Sequence, residues 1–189
     1  MSHQYKPFHH SQHLPHHDYH RPGIYFITLC TLHRQPMFGH IADGNMHLNQ
    51  VGTLAQTIWT SLPQRFTGVT LDTFIFMPNH MHGIIVITKP PVRIIQPPNL
   101  ANIPDRLVPF VQSQMAEKQR RQEPVTLNEI IRTFKATATR QIRTAIESRF
   151  AWQQHQYKRL IQNEQRLKLM RHYIQTNPLH WPKDRLYST

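Results

Sequence analysis

Apolar positions along this chain alternate between runs with the two-residue period of strands and stripes with the three-to-four-residue spacing of helices. Residues 23–32, GIYFITLCTL, are β-branched and aromatic almost throughout, which predicts a strand buried on both faces. Asp43-Gly44 stands between apolar residues in MFGHIADGNMHLN, a short-hairpin signal. Val51, Leu54, Ala55, Ile58, Trp59 and Leu62 then recur at helical spacing and define one apolar face. Two further strands, VTLDTFIFM (69–77) and HMHGIIVIT (80–88), flank a bend at Pro78-Asn79.

Residues 90–124 hold seven of the 15 prolines and the string EKQRRQE, so an extended insertion without a core of its own is expected there. Order resumes at Thr126, which forms a capping box with Glu129 and opens a helix whose stripe is Leu127, Ile130, Ile131, Phe134, Ala138 and Ile142. FAWQQHQYKRLI (150–161) is expected to supply a fourth core strand anchored by Trp152. A last helix runs from about Asn163 to Asn177, where Pro178 stops it. The order β-α-β-β-α-β predicts an α+β, ferredoxin-like antiparallel sheet with helices on one face, plus a C-terminal helix. One domain is expected over 23–182, between a His-rich arm (1–22) and a short tail (183–189).

Charge changes the picture. Lysine and arginine number 22 against 10 acidic residues, a net charge of +12, which predicts a polyanionic partner, nucleic acid first among candidates. No stretch of about 18 apolar residues exists, so no membrane partner is expected. The first 20 residues lack the apolar segment of a secretory signal, and the seven histidines of the arm are spaced too irregularly to favour a metal site over a flexible segment. Cys30 is the one cysteine, which excludes an intramolecular disulfide and suits a reducing compartment. A soluble intracellular protein that meets DNA or RNA is the expectation.

Within TFIFMPNHMHGIIVIT (73–88), His80 and His82 interrupt a strongly apolar ribbon. Side chains two apart on a strand share a face, so the two imidazoles point together and Met81 points away. A hydrogen-bonded pair on a half-exposed sheet is the ordinary explanation of such a pattern, but burying imidazoles without partners costs free energy. Together they make half of a metal site. Two histidines are too few for a structural zinc, and Gly83 and Ile84 break the ligand run of zinc hydrolases.

Here MPNHMHGIIVI resembles the histidine–hydrophobe–histidine motif of single-tyrosine HUH transposases, in particular the REP-associated tyrosine transposase branch. DYHRPGIYFITLCTLHRQPMFGHI, LDTFIFMPNHMHGIIV, IIRTFKATATRQI, WQQHQYKRLIQNE and YIQTNPLHW follow in the order of that family, spanning most of residues 18–182. The resemblance implies a ferredoxin-like DNA transposase that cleaves and rejoins single-stranded DNA near hairpins. His80 and His82 would hold a divalent metal, and a tyrosine of the C-terminal helix would form a 5′-phosphotyrosine with a free 3′-hydroxyl. Packing or position sets aside Tyr5, Tyr25 and Tyr187, and the tyrosines weighed for the role are Tyr157 and Tyr173. The family's Y-I-x-x-N-P signature, Tyr173 to Pro178 here, selects Tyr173.

Asn177 lies one helical turn beyond Tyr173 and could add an amide oxygen to His80 and His82. A mixed nitrogen and oxygen set suits Mg²⁺ or Mn²⁺. Arg132, Lys135, Arg140 and Arg143 fall largely off the apolar stripe of their helix; with Lys158, Arg159, Arg166, Lys168 and Arg171 they are expected to bind phosphates of single-stranded or hairpin DNA. Monomer and homodimer stay equally open. The alternative readings are a catalytically inactive, domesticated hairpin-DNA-binding protein, and a metal-dependent hydrolase of small substrates. Positive charge and the want of a further acidic ligand weigh against the hydrolase.

Overall fold

The computed structural model describes residues 21–95, 103–120 and 122–187. Nearly all of the expected His-rich arm, and part of the Pro-rich insertion, lie outside these residues. The elements are β1 (Gly23–Cys30), β2 (Gly39–Ala42), β3 (Asn45–Leu48), α1 (Gln50–Thr60), α2 (Leu62–Arg65), β4 (Val69–Phe76), β5 (His80–Ile87), α3 (Val108–Arg120), α4 (Leu127–Ala145), β6 (Tyr157–Ile161) and α5 (Glu164–Thr176). A 3₁₀ segment, Asn177–Lys183, continues directly from α5.

The four-stranded sheet has the order β4-β5-β1-β6, and every neighbouring pair is antiparallel. With the β2–β3 hairpin set aside, this is the β-α-β-β-α-β arrangement that the periodicity predicts. The hairpin turn places Asp43 at φ 50° and Gly44 at φ 72°, the left-handed pair that a two-residue connection needs. At α4, Thr126 Oγ1 accepts the Glu129 N–H (3.1 Å) while the Glu129 carboxylate accepts the Thr126 N–H (2.7 Å), closing the capping box.

Two apolar layers of unequal thickness sandwich the sheet. The main core gathers Tyr25, Ile27 and Leu29 of β1 and Met81, Ile85 and Ile87 of β5 under α1 and α4. Trp59 and Phe134 meet edge to face at its centre, 5.1 Å apart. The opposite face holds Phe26, Ile84 and Ile161 against Leu167, Met170 and Ile174 of α5. Thus α1 and α4 share one face as expected, and the C-terminal helix covers the other.

Some expectations shift. Residues 108–120 form a helix inside the insertion, although none of its residues is buried, in keeping with a segment lacking its own core. The fourth strand is confined to 157–161; Trp152 lies before it, in the main core, making only an isolated bridge with Thr31.

Gly83 separates His82 from Ile84 because its position on the main-core face lies under Trp59. A Cβ there would stand 2.8 Å from the indole Cζ2. Gly83→Ala is expected to lower unfolding free energy by about 1–3 kcal/mol in urea denaturation.

Candidate active site

Antiparallel register sets His82 opposite Thr28 and His80 opposite Cys30, on the face of the sheet that α5 covers. Met81 points to the main core, as strand alternation requires. His80 is 0% exposed and His82 3%, so each imidazole needs protein partners for its nitrogens.

Those partners fix the rings. Asn79 donates its amide N–H to the Leu186 carbonyl (2.6 Å), which leaves Asn79 Oδ1 to accept from Nδ1 of His80 (2.8 Å). His80 therefore carries its proton on Nδ1 and presents a lone pair at Nε2. His82 Nδ1 lies 2.7 Å from the Thr28 hydroxyl, and the two Nε2 atoms are 3.1 Å apart. Two bare nitrogens at that distance repel; a proton or a shared cation between them relieves it. Burial, with Arg34 nearby, pushes His80 down to about 3, and burial with the neighbouring His80 drives His82 well below its usual range against the pull of Asp184. Both rings are neutral at ordinary pH, the state in which imidazole binds metal.

Helix α5 brings Tyr173 to this pair. Asn163 caps the helix by accepting the Arg166 N–H at 2.9 Å, and Leu167, Met170 and Ile174 seat it on the sheet. The Tyr173 hydroxyl then lies 3.1 Å from His82 Nε2. Phe26 packs against both rings, 5.3 Å from His82 and 6.2 Å from Tyr173 between centroids. Tyr157, the other candidate, sits opposite Thr28 on β6 with its ring edge-on to Phe26, and no hydrogen bond to either histidine is seen among the described residues.

Asn177 caps the C-terminus of α5 and is 3% exposed. Its amide N–H donates to Asp184 Oδ2 (2.9 Å), and its buried Oδ1 has no hydrogen-bond partner. Asp184 is the residue that sequence reasoning missed. Its other oxygen accepts the Leu186 N–H at 2.7 Å, and one ligand atom from each of His80, His82 and Asp184 lies within 4.8 Å of the others. The expected absence of an acidic ligand is thereby corrected. The scarcity of acids, 10 in 189 residues, was the only hint that one placed after Pro182 had a task. Two neutral imidazoles, a carboxylate and an orphaned amide oxygen make a donor set that fits a divalent cation. Trp181 lies against His80, 5.9 Å between rings, so the 177–186 segment closes the site from above.

The cations expected to meet phosphate divide. Arg132, Lys135, Arg140 and Arg143 line one side of a groove of about 690 Å³, with Trp152, Gln154 and Gln156 on the other and no carboxylate in its wall. Lys135 Nζ donates to the Gln153 (2.6 Å) and Gln154 (3.2 Å) carbonyls and Arg143 Nε to the Phe150 carbonyl (2.7 Å), which pins residues 150–154 to α4. Arg159 lies opposite Phe26, on the same face as His82. Lys158 departs from expectation: it points beneath α4, 6% exposed, and donates to Asn128 Oδ1, so strand alternation has turned it inward. Arg171 is held by Asp72.

No helix among the described residues is long and apolar enough to cross a membrane. No protein-family model matches the chain. A solved REP-associated tyrosine transposase bound to a REP hairpin shares the fold, with a TM-score of 0.53 and 13% identity over 87% of this chain and 72% of that one. An uncharacterised protein of Haemophilus influenzae is 36% identical over 174 residues, covering 92% of this chain and 90% of that protein. With its sheet, its histidine pair and its covering helix described, the chain belongs to the family of that Haemophilus influenzae protein, built on the fold of a REP-associated tyrosine transposase.

Proposed function

We propose that this protein is a metal-dependent single-strand DNA nickase and strand transferase, a transposase acting near hairpins, with Tyr173 as nucleophile. The observation that carries the reading is the Tyr173 hydroxyl 3.1 Å from Nε2 of His82, beside a donor set fit for a divalent cation. The solved neighbour's bound REP hairpin supports the choice of DNA.

Tyr173 Oη attacks the scissile phosphorus and the P–O3′ bond breaks. The phenol loses its proton, the departing 3′-oxygen gains one, and the 5′-phosphate stays on the tyrosine. Attack by a 3′-hydroxyl reverses the step and restores a phosphodiester without ATP. His80, His82 and Asp184 would hold Mg²⁺ or Mn²⁺, with Asn177 Oδ1 as a further donor, and the ion would supply Lewis-acid stabilisation of phosphate charge. Thr28 and Asn79 hold the two rings in the orientation that presents Nε2 to that position. Phe26 and Trp181 exclude water around the imidazoles. Within the chain, Tyr173 already reaches the histidine pair. Arg159 on the site's face and the groove beside α4 would bind flanking phosphates.

A hairpin-binding protein that does not cut is the second reading. It is favoured by one observation: with residues 177–186 in place, His80 is 0% exposed, so a phosphate reaches it only when that segment shifts.

Incubation with labelled hairpin oligonucleotides and Mn²⁺ should give a denaturation-resistant adduct that Tyr173→Phe and His80→Ala abolish. An adduct kept by Tyr173→Phe rejects the nucleophile; tight binding with no adduct from the wild type favours the second reading. Thr28→Val should weaken Mn²⁺ affinity by about 10–100-fold in calorimetry, because His82 loses its orienting partner. Joint replacement of Arg132 and Arg140 by alanine should reduce the slope of log Kd against log salt by about 1 per residue. An unchanged slope would remove the groove from the DNA path.

A further inference from the structure

Arg171 is a cation on the helix that carries Tyr173, yet its guanidinium is engaged before any DNA arrives. Its partner is supplied by a break in strand register. Leu71 pairs with Ile85 and Phe74 with Gly83, so Asp72 and Thr73 stand together against the one residue between, Ile84. This two-against-one arrangement is a β-bulge. Asp72 Oδ1 accepts the Thr73 N–H (2.6 Å), the Thr73 hydroxyl (2.9 Å) and Arg171 Nε (3.0 Å), and Oδ2 accepts Arg171 Nη2 (2.7 Å). The carboxylate is thus aimed by its own neighbour and grips the guanidinium at two points. The Arg171 bond, first, and the Thr73 bonds hold Asp72 at about 2 against the opposing effect of burial, so the pair stays ionised at any pH near neutrality.

What the pair holds is a thinly seated helix. Leu167, Met170 and Ile174 rest on Phe26, Ile84 and Ile161, a single apolar stripe. A stripe of that kind resists lifting better than it resists rolling or sliding, because apolar contact has no direction. A planar two-point bridge on the flank resists both. Tyr173 follows Arg171 by two residues, so any roll of the helix swings its hydroxyl away from His82.

We propose that the Asp72–Arg171 bridge is a positioning device that fixes the roll and depth of α5 and so sets the Tyr173 hydroxyl at the histidine pair. This rests on Tyr173 as the nucleophile. It also removes Arg171 from the phosphate-binding set.

The test compares Asp72→Ala, Arg171→Ala and the double variant. Adduct formation at saturating hairpin should slow by about tenfold or more in each single variant, since small misplacements of a reacting group carry such costs. Hairpin Kd should stay within about twofold, and the double variant should be no slower than either single one. Arg171→Lys, which keeps the charge and loses the fork, should fall between. An unchanged rate at saturation overturns the proposal, as does a loss confined to Kd in Arg171→Ala, which would make Arg171 a phosphate contact. If the wild type forms no adduct, the nucleophile reading fails, and amide hydrogen exchange still decides about the bridge. Faster exchange over residues 170–176 in Asp72→Ala, with α1 and α4 unchanged, supports it; unchanged exchange overturns it. If Asp72→Ala does not fold, Asp72→Asn takes its place in both measurements.

Discussion

Everything in this site follows from the cost of burying two imidazoles in an apolar layer. His80 and His82 sit on a central strand, under a helix, with 0% and 3% of their surface exposed. Left unpartnered, each nitrogen would cost on the order of 1–3 kcal/mol. The surrounding chain is arranged to prevent that. Asn79 and Thr28 take the inner nitrogens, Tyr173 reaches one outer nitrogen, and the carboxylate of Asp184 is close by. A network satisfied in this way leaves the Nε2 atoms turned toward each other, where a proton or cation resolves the conflict.

The sheet separates stability from chemistry. Its main-core face carries the bulk of the large side chains, with ring contacts running from Trp59 to Phe134 to Trp152 to Phe38. The other face carries a single helix on a thin layer, and it is there that the polar groups gather. Such a layer tolerates the histidines because the main core does not depend on it. The cost is a helix with little apolar hold, and the structure meets that cost with directional contacts: the Asn163 cap, the Asp72–Arg171 bridge and the Tyr173–His82 contact.

Positive charge is likewise distributed by task. Lys135 and Arg143 anchor backbone carbonyls, Lys158 is tied to Asn128 beneath α4, and Arg171 clamps α5. Arg132, whose side chain is 79% exposed and lies 4.0 Å from the Glu129 carboxylate, stands at the groove with Arg140, where a polyanion meets it with little desolvation. A net charge of +12 therefore overstates the cations available to a polyanion, since several are structural.

Local pattern determined the elements. The alternation of β1 and β5, the stripe and capping box of α4, the Asp43-Gly44 turn and the stop at Pro178 each depend on near neighbours along the chain, so they were legible in sequence. The shared face of His80 and His82 was legible for the same reason. Tertiary structure alone decided what meets them. Tyr173 and His82 are 91 residues apart and Asp72 and Arg171 are 99 apart, and no local period relates either pair. Asp184 gave no sign of its place beside the histidines, because its position depends on how the segment after α5 folds back over the sheet. Lys158 read as surface charge until the register of β6 turned it inward. Periodicity specifies which face a side chain takes on its own element, and only packing specifies what lies across from it.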